Sequence, residues 1–180
     1  MAPVGESGGQ HGQSVNDEDL DMPSVLFVCS ANICRSPMAM AIFQSQVEQE
    51  PEIWLVESAG TWAPEGAPAS VRSQMLLAER GLDLSNHRSR RVSREIIGSF
   101  DLVLTMEDGH KEALQIEFPD LAERIYLLSE MVGLKYNIAD PMVGSDEDFR
   151  LTEHAITQIL KDGYETIVQL ASVNLSSAIE

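Results

Sequence analysis

The sequence predicts an α/β domain: a doubly wound, four-stranded parallel sheet flanked by helices. Three observations carry that expectation. From Ser24 onward, short apolar runs alternate with stretches of helical periodicity, the pattern of successive βαβ units. The first run, Val25-Leu26-Phe27-Val28, is continuous rather than alternating, as in a strand buried on both faces of a sheet. The length, 180 residues, is that of about one domain of the usual ~100–200 residues. A chain of this size buries roughly two-thirds of its unfolded surface and needs no disulfide or metal to hold a core.

The elements follow in order. Residues 1–22 are rich in Gly, Ser, Gln and acids and contain no Lys or Arg, so they read as a disordered acidic tail. Residues 23–180 read as a single domain without an internal repeat or linker. After the first strand, Ser36-Pro37 leads into a stretch whose Ala39, Ile42, Phe43 and Val47 share one helical face. Ser36 is placed as the N-cap and Pro37 at the first helical position, where proline is tolerated. Residues 53–57 read as a second strand, ended by Ser58-Ala59-Gly60-Thr61. Residues 68–80 read as a second helix, stopped by Gly81. Ile96-Ile97 precede a third strand at 101–106, a helix follows at 107–117, and 125–128 supplies the fourth strand. Ser145 with Asp148 three residues on has the form of a capping box, opening a long helix to about Leu170. In such folds ligands bind at the carboxyl ends of the strands, beside a topological switch point. The first strand ends at Cys29.

The charge excludes several function classes. Twelve Lys+Arg stand against 29 Asp+Glu, a net −17, whereas nucleic-acid binders gain affinity by neutralising phosphates with basic residues. The same balance argues against docking on an anionic membrane surface. No apolar stretch approaches the ~20 residues of a spanning helix, and MAPVGESGGQHGQ lacks a basic n-region and an apolar h-region. A soluble, cytoplasmic protein is expected. Cys29 and Cys34 form neither a disulfide framework nor a CxxC pair.

The segment Cys29-Ser30-Ala31-Asn32-Ile33-Cys34-Arg35-Ser36-Pro37 lies between a buried strand and a helix N-terminus. Backbone N–H groups wrapped in such a loop, with the helix dipole behind them, suit a phosphate or sulfate dianion. Arg35 closes the loop with a planar fork matched to two phosphate oxygens. The same field favours the thiolate form of a cysteine at the loop's start, and the thiolate is the nucleophile. Cys-x5-Arg-Ser thus gathers nucleophile, anion cradle and charge clamp in one turn. Breaking a P–O bond also needs a proton donor. Asp140-Pro141 lies on a late loop, where proline drives the preceding residue to an extended conformation. Asp146, Glu147 and Asp148 read instead as acids favoured at a helix N-terminus.

This loop, preceded by Val-Leu-Phe-Val and extended to Ser-Pro, resembles the phosphate-binding loop of the low-molecular-weight protein tyrosine phosphatases. The resemblance covers about residues 24–170. It implies that Cys29 attacks phosphorus and carries a phosphocysteine intermediate. Arg35 would bind the equatorial oxygens, with Ser30, Ala31, Asn32, Ile33, Cys34 and Ser36 lining the phosphate site. Ser36 would donate to the Cys29 thiolate, and Asn32 would hold the loop's backbone with help from Ser58 and His87. Those last two are equally readable as a turn serine and an exposed loop histidine. Asp140 would serve as general acid and then base. Cys34 would trap an oxidised Cys29 as a reversible disulfide, or else be a small loop residue with no redox role. Neither cofactor nor metal is implied, since the loop amides and Arg35 supply the positive charge. The partner implied is a phosphotyrosyl protein substrate, and no residue pattern points to a particular kinase.

The sequence departs from the family's aromatic sandwich around the substrate ring. Met142 stands after Asp140-Pro141, and the opposite loop offers Trp62, as a pocket wall or as an ordinary surface aromatic. Met142 still suits a thioether–aromatic contact. A subgroup acting on phosphoarginine resembles this loop with Thr in place of Ile33, which puts protein-arginine phosphatase second. Arsenate reductases on the same fold use further downstream cysteines; this chain has none after Cys34, although a glutaredoxin- or mycothiol-dependent form stays open. A non-catalytic phosphate-binding module comes last, because Cys29, Arg35 and Asp140 are all present. Half of the basic residues fall between Arg72 and Arg94, either a solvated face or a local offset to the acidic field.

Overall fold

The computed structural model describes residues 22–50 and 53–177; the expected tail, Met22 apart, lies outside them. Strands β1 (Ser24–Cys29), β2 (Leu55–Gly60), β3 (Leu102–Thr105) and β4 (Ile125–Leu127) form one parallel sheet in the order β2-β1-β3-β4. The chain leaves β1 for β2 on one side and then crosses to β3 on the other, so the switch point lies at the carboxyl end of β1.

Every residue of β1 is buried, as its unbroken apolar run requires, and its side chains divide between two cores. Val25 and Phe27 pack with helices α1 (Arg35–Val47), α2 (Val71–Ala78), α5 (Asp146–Asp162) and α6 (Tyr164–Ser177). Leu26 and Val28 pack on the other face, with Ile97 of α3 (Arg94–Gly98) and Leu114 of α4 (Asp108–Glu117). Ser24 and Asp101 tie the sheet's amino end, where the Ser24 hydroxyl donates to the buried Asp101 carboxylate at 2.6 Å.

Three sequence expectations change. The second strand is Leu55–Gly60 and takes in the Ser58-Ala59-Gly60 expected to end it. Ser36 is not an N-cap: α1 begins at Arg35, with Cys34 in the capping position, and Ser36 sits in the first turn. The expected long final helix is two helices, broken at Gly163. A Cβ at Gly163 would stand 2.7 Å from the Met131 Cβ and 2.8 Å from the Ile159 carbonyl oxygen, so the break brings backbone against the 3-10 turn Leu128–Val132. At the start of α5 the capping box forms as its spacing predicts: Ser145 Oγ accepts from Asp148 N, and Asp148 Oδ2 accepts from Ser145 N at 2.6 Å.

Candidate active site

Helices α1 and α4 open without a side-chain cap of their own. Helices α2, α3 and α5 each carry a serine cap, from Ser70, Ser93 and Ser145, whereas no side chain caps α1. Its first amides are left for an anion. They face the loop that runs from Cys29, the last residue of β1, to Arg35, the first of α1.

Asn32 sets the loop's shape. It is fully buried and is the non-glycine residue with positive φ, 54°, among those described. Asparagine tolerates that left-handed conformation better than other side chains do. Its Nδ2 donates to Ser36 Oγ and to Ser58 Oγ, both at 2.9 Å. Its Oδ1 accepts from the Arg90 backbone N–H at 3.0 Å, a donor that fixes which way the amide faces. Its carbonyl oxygen accepts from His87 Nε2 at 2.7 Å, so that nitrogen carries the proton. Burial holds the His87 pKa below its ordinary value, which favours the neutral ring. Gly60 lets β2 pass close by, since a Cβ there would stand 2.9 Å from the Asn32 nitrogen. The amides of Thr61 and Trp62 bond the carbonyls of Cys29 and Ser30 at 2.9 and 2.8 Å.

Cys29 is buried, with its Sγ 3.0 Å from Ser36 Oγ. Ser36 has one proton and two directions for it: Cys29 Sγ, or the Ala59 carbonyl at 3.3 Å. Asn32 fills the acceptor side of the hydroxyl. A thiolate at Cys29 therefore draws that proton toward sulfur.

Arg35 is a buried cation, its side chain 2% exposed. Nη1 donates to the Ile138 carbonyl at 2.9 Å and to Glu107, and Nη2 donates to Asp140 Oδ2 at 2.9 Å. Both carboxylates are partly open to solvent, 36% for Glu107 and 45% for Asp140. Asp140 Oδ1 accepts from the Met142 N–H at 3.1 Å, which fastens the carboxylate to its own loop. The structure thus brings the early loop and the late Asp-Pro loop onto one guanidinium.

Cys34 is buried and lies against Ser73; burial pushes its thiol up to about 12, although the Ser73 hydroxyl bonded to it acts in the opposite sense. Ala31 and Ile33 are half-buried. Trp62 is 78% exposed beside the loop, with the Arg91 guanidinium carbon 5.5 Å from its ring centre. Met142 is exposed, two residues beyond Asp140.

Sequence reasoning missed Glu107, His110 and the Arg90 amide. His110 is buried and stands 2.8 Å by Nε2 from Ser30 Oγ, while its Nδ1 has no partner among the described residues. Burial lowers its pKa, against an opposing pull from Glu107. Glu107 follows the third strand within two residues, and a carboxylate at a strand's carboxyl end was the available signal.

A cysteine thiol and an arginine converging on an uncapped helix N-terminus, at the switch point of a parallel sheet, define a thiol-dependent anion site of the phosphatase class. The sequence comparisons agree. Residues 24–171 match the family described as low molecular weight phosphotyrosine protein phosphatase, and the chain belongs to that family. It is accordingly a phosphatase, a hydrolase of phosphoric monoesters. A protein-arginine-phosphatase of Geobacillus stearothermophilus is 37% identical over 137 residues, 76% of this chain and 90% of the relative. The low molecular weight phosphotyrosine protein phosphatase of Pongo abelii is 37% identical over 133 residues, 70% of this chain and 84% of the relative. The crystal structure of a low molecular weight protein tyrosine phosphatase from T. tengcongensis superimposes with a TM-score of 0.76 at 37% identity. It covers 79% of this chain and 98% of that one.

Proposed function

We propose that the chain is a protein-tyrosine phosphatase that hydrolyses phosphotyrosine monoesters through a phosphocysteine intermediate on Cys29. The observation that carries the reading is the 3.0 Å contact of Cys29 Sγ with Ser36 Oγ inside a loop whose Arg35 reaches Asp140. In the first step the Cys29 thiolate attacks phosphorus and an S–P bond forms. The P–O bond to the tyrosine breaks, and the protonated Asp140 carboxyl gives its proton to the leaving phenolate. In the second, the Asp140 carboxylate takes a proton from water, the water oxygen attacks phosphorus, and the electron pair of the S–P bond returns to sulfur. Ser36 donates to the departing thiolate. The products are tyrosine and inorganic phosphate.

Arg35 serves the equatorial oxygens, exchanging its carboxylate partners for the dianion. Asn32, Ser58 and His87 keep the loop in shape. Ile33, Trp62 and Met142 support an aryl ester, because each presents apolar surface beside the loop and none offers a charge for a guanidinium leaving group. Residues 23–180 form the catalytic domain in this reading, and its setting is the cytoplasm. Among the described residues no helix is long and apolar enough to cross a membrane.

A second reading, protein-arginine phosphatase, is favoured by the relative of that name at 37% identity. Hydrolysis of p-nitrophenyl phosphate without added metal, by wild type, Cys29→Ser and Asp140→Ala, tests the mechanism. Matched phosphotyrosyl and phosphoarginyl peptides test the substrate. Faster turnover of the phosphotyrosyl peptide upholds the first reading, and the reverse order overturns it.

A further inference from the structure

With 12 Lys+Arg against 29 Asp+Glu, most cations in this chain are expected to be claimed by a carboxylate. Arg80, Arg94 and Arg150 pair with Glu153, Asp120 and Glu79 away from the site, and Arg90 pairs with Glu57 beside it. Two arginines next to the phosphate loop break the pattern. Among the described residues neither Arg88 nor Arg91 forms an ion pair. Arg88 Nη1 donates to the carbonyls of Ser85 and His87, at 3.1 and 2.7 Å. Arg91 instead lays its guanidinium over the Trp62 ring at 5.5 Å. The nearby Glu65 carboxylate accepts the Arg91 backbone N–H at 2.8 Å.

Both arginines are held at the rim of the site by their neighbours. His87, before Arg88, bonds the Asn32 carbonyl, and Arg90, before Arg91, bonds the Asn32 side chain. The Trp62 amide bonds the Ser30 carbonyl. The Arg91–Trp62 stack therefore stands one residue from the network that shapes the phosphate loop.

We propose that Arg91, stacked on Trp62 and assisted by Arg88, docks an acidic side chain flanking the phosphorylated residue of the protein substrate. The proposal rests on the reading above that the substrate is a phosphorylated protein. The indole holds the guanidinium carbon 5.5 Å from its ring centre, and the planar fork keeps N–H donors for a carboxylate. That fork fits Asp or Glu with two parallel bonds. The chain's remaining charge is acidic, but at physiological salt charges beyond ~8 Å are largely screened. A peptide acid beside the phosphoryl group thus meets these rim cations rather than the distant acids, and the near one, Glu65, is engaged by the Arg91 backbone N–H. The expected recognition is local: an acid next to the phosphorylated residue, not a polyacidic surface.

The test compares kcat/KM for phosphotyrosyl and phosphoarginyl peptides whose flanking residues are Asp/Glu or Ala. Wild type is expected to prefer the acidic phosphotyrosyl peptide by about three- to five-fold at low salt, the scale of an exposed charge pair. Arg91→Gln brings that ratio to about one, Arg91→Glu inverts it, and Arg88→Gln lowers it by less. In wild type the ratio collapses at about 0.5 M salt, a readout that needs no variant to fold. Equal turnover of acidic and neutral peptides by wild type overturns the proposal. So does an Arg91→Gln variant that loses rate on both peptides alike, which is what a merely structural role gives. Turnover confined to phosphoarginyl peptides, with the acidic preference and its loss in Arg91→Gln retained, overturns the phosphotyrosine reading while upholding the docking site.

Discussion

The two walls of the phosphate loop are built on opposite principles. On one side Asn32, Ser36, Ser58, Ala59 and His87 form a network of neutral hydrogen bonds, its serines and asparagine almost wholly buried. On the other, Arg35 is tied to Glu107 and Asp140, two charged partners that are each more than a third exposed. A network of the first kind is already arranged for the transition state and needs no reorganisation when a substrate arrives. Ion pairs of the second kind have to be exchanged, because an incoming dianion competes with both carboxylates for one guanidinium. In the proposed mechanism the neutral wall shapes the surroundings of Cys29, and the charged wall handles the substrate's charge and proton.

The sharpest way to break this division is to remove the proposed nucleophile. Cys29→Ser is expected to lower kcat by about 10⁴-fold or more with its thermal transition kept, since serine fits the same hydrogen bond to Ser36; steady-state assays and a melting curve check both. Asp140→Asn acts on the charged wall. It is expected to lower kcat by about 10²–10⁴-fold on phenyl phosphate and by less on p-nitrophenyl phosphate, whose leaving group needs little protonation. Inorganic phosphate should inhibit that variant more strongly, because one competitor for Arg35 has lost its charge. Weaker phosphate inhibition in the variant would contradict the exchange of partners.

Asn32 probes the neutral wall. Asn32→Ala leaves buried donors and acceptors unmatched and places alanine at positive φ, for an expected loss of about 2–4 kcal/mol in unfolding free energy. Asn32→Gly removes the same side-chain bonds but relieves the backbone, so it should recover about 1 kcal/mol over alanine in urea denaturation. Equal stabilities would show that strain at this position is unimportant.

The smallest effect expected is one of pH. Burial lowers the folded-state pKa of both His87 and His110, so the folded protein binds fewer protons than the unfolded chain. Their contribution is complete above the unfolded value of about 6.5 and is lost as pH falls below it through the folded values. His87→Asn should therefore lose less stability than wild type on going from about pH 7.5 to pH 5, measured as a shift in denaturation midpoint. An unchanged slope would remove His87 from the account.

The comparison also explains what the sequence made legible. The loop is local: Cys29, Asn32, Arg35 and Ser36 lie within eight residues, and the continuous run 25–28 announces the buried strand, whereas Ser58 and His87, which complete the neutral wall, lie 26 and 55 residues from Asn32. Ser36 carried two readings, a helix cap from its local spacing and a partner of Cys29 from the family resemblance. At the sequence level a serine before Pro37 reads as a cap, whereas the fold turns its hydroxyl back to Cys29. The charged wall is long-range. Glu107 and Asp140 lie 72 and 105 residues from Arg35; Asp140 was legible because Asp140-Pro141 matches the Asp-Pro pair of the family it resembles, while the one signal for Glu107, its place just past a strand's carboxyl end, does not point to Arg35. The break at Gly163 was missed although a glycine is a local stop signal; the Met131 side chain that leaves no room for a Cβ there lies on another element.

The central claim is that the phosphoryl group passes through Cys29. The most direct measurement is to mix Asp140→Ala with a phosphotyrosyl peptide, quench rapidly under conditions that preserve an S–P bond, and locate phosphate by mass spectrometry. Phosphate on the proteolytic peptide holding Cys29, absent from a parallel Cys29→Ser sample, is the predicted result. Phosphotyrosine hydrolysis continuing in Cys29→Ser at an undiminished rate, with no adduct on Cys29 in the first sample, would contradict it.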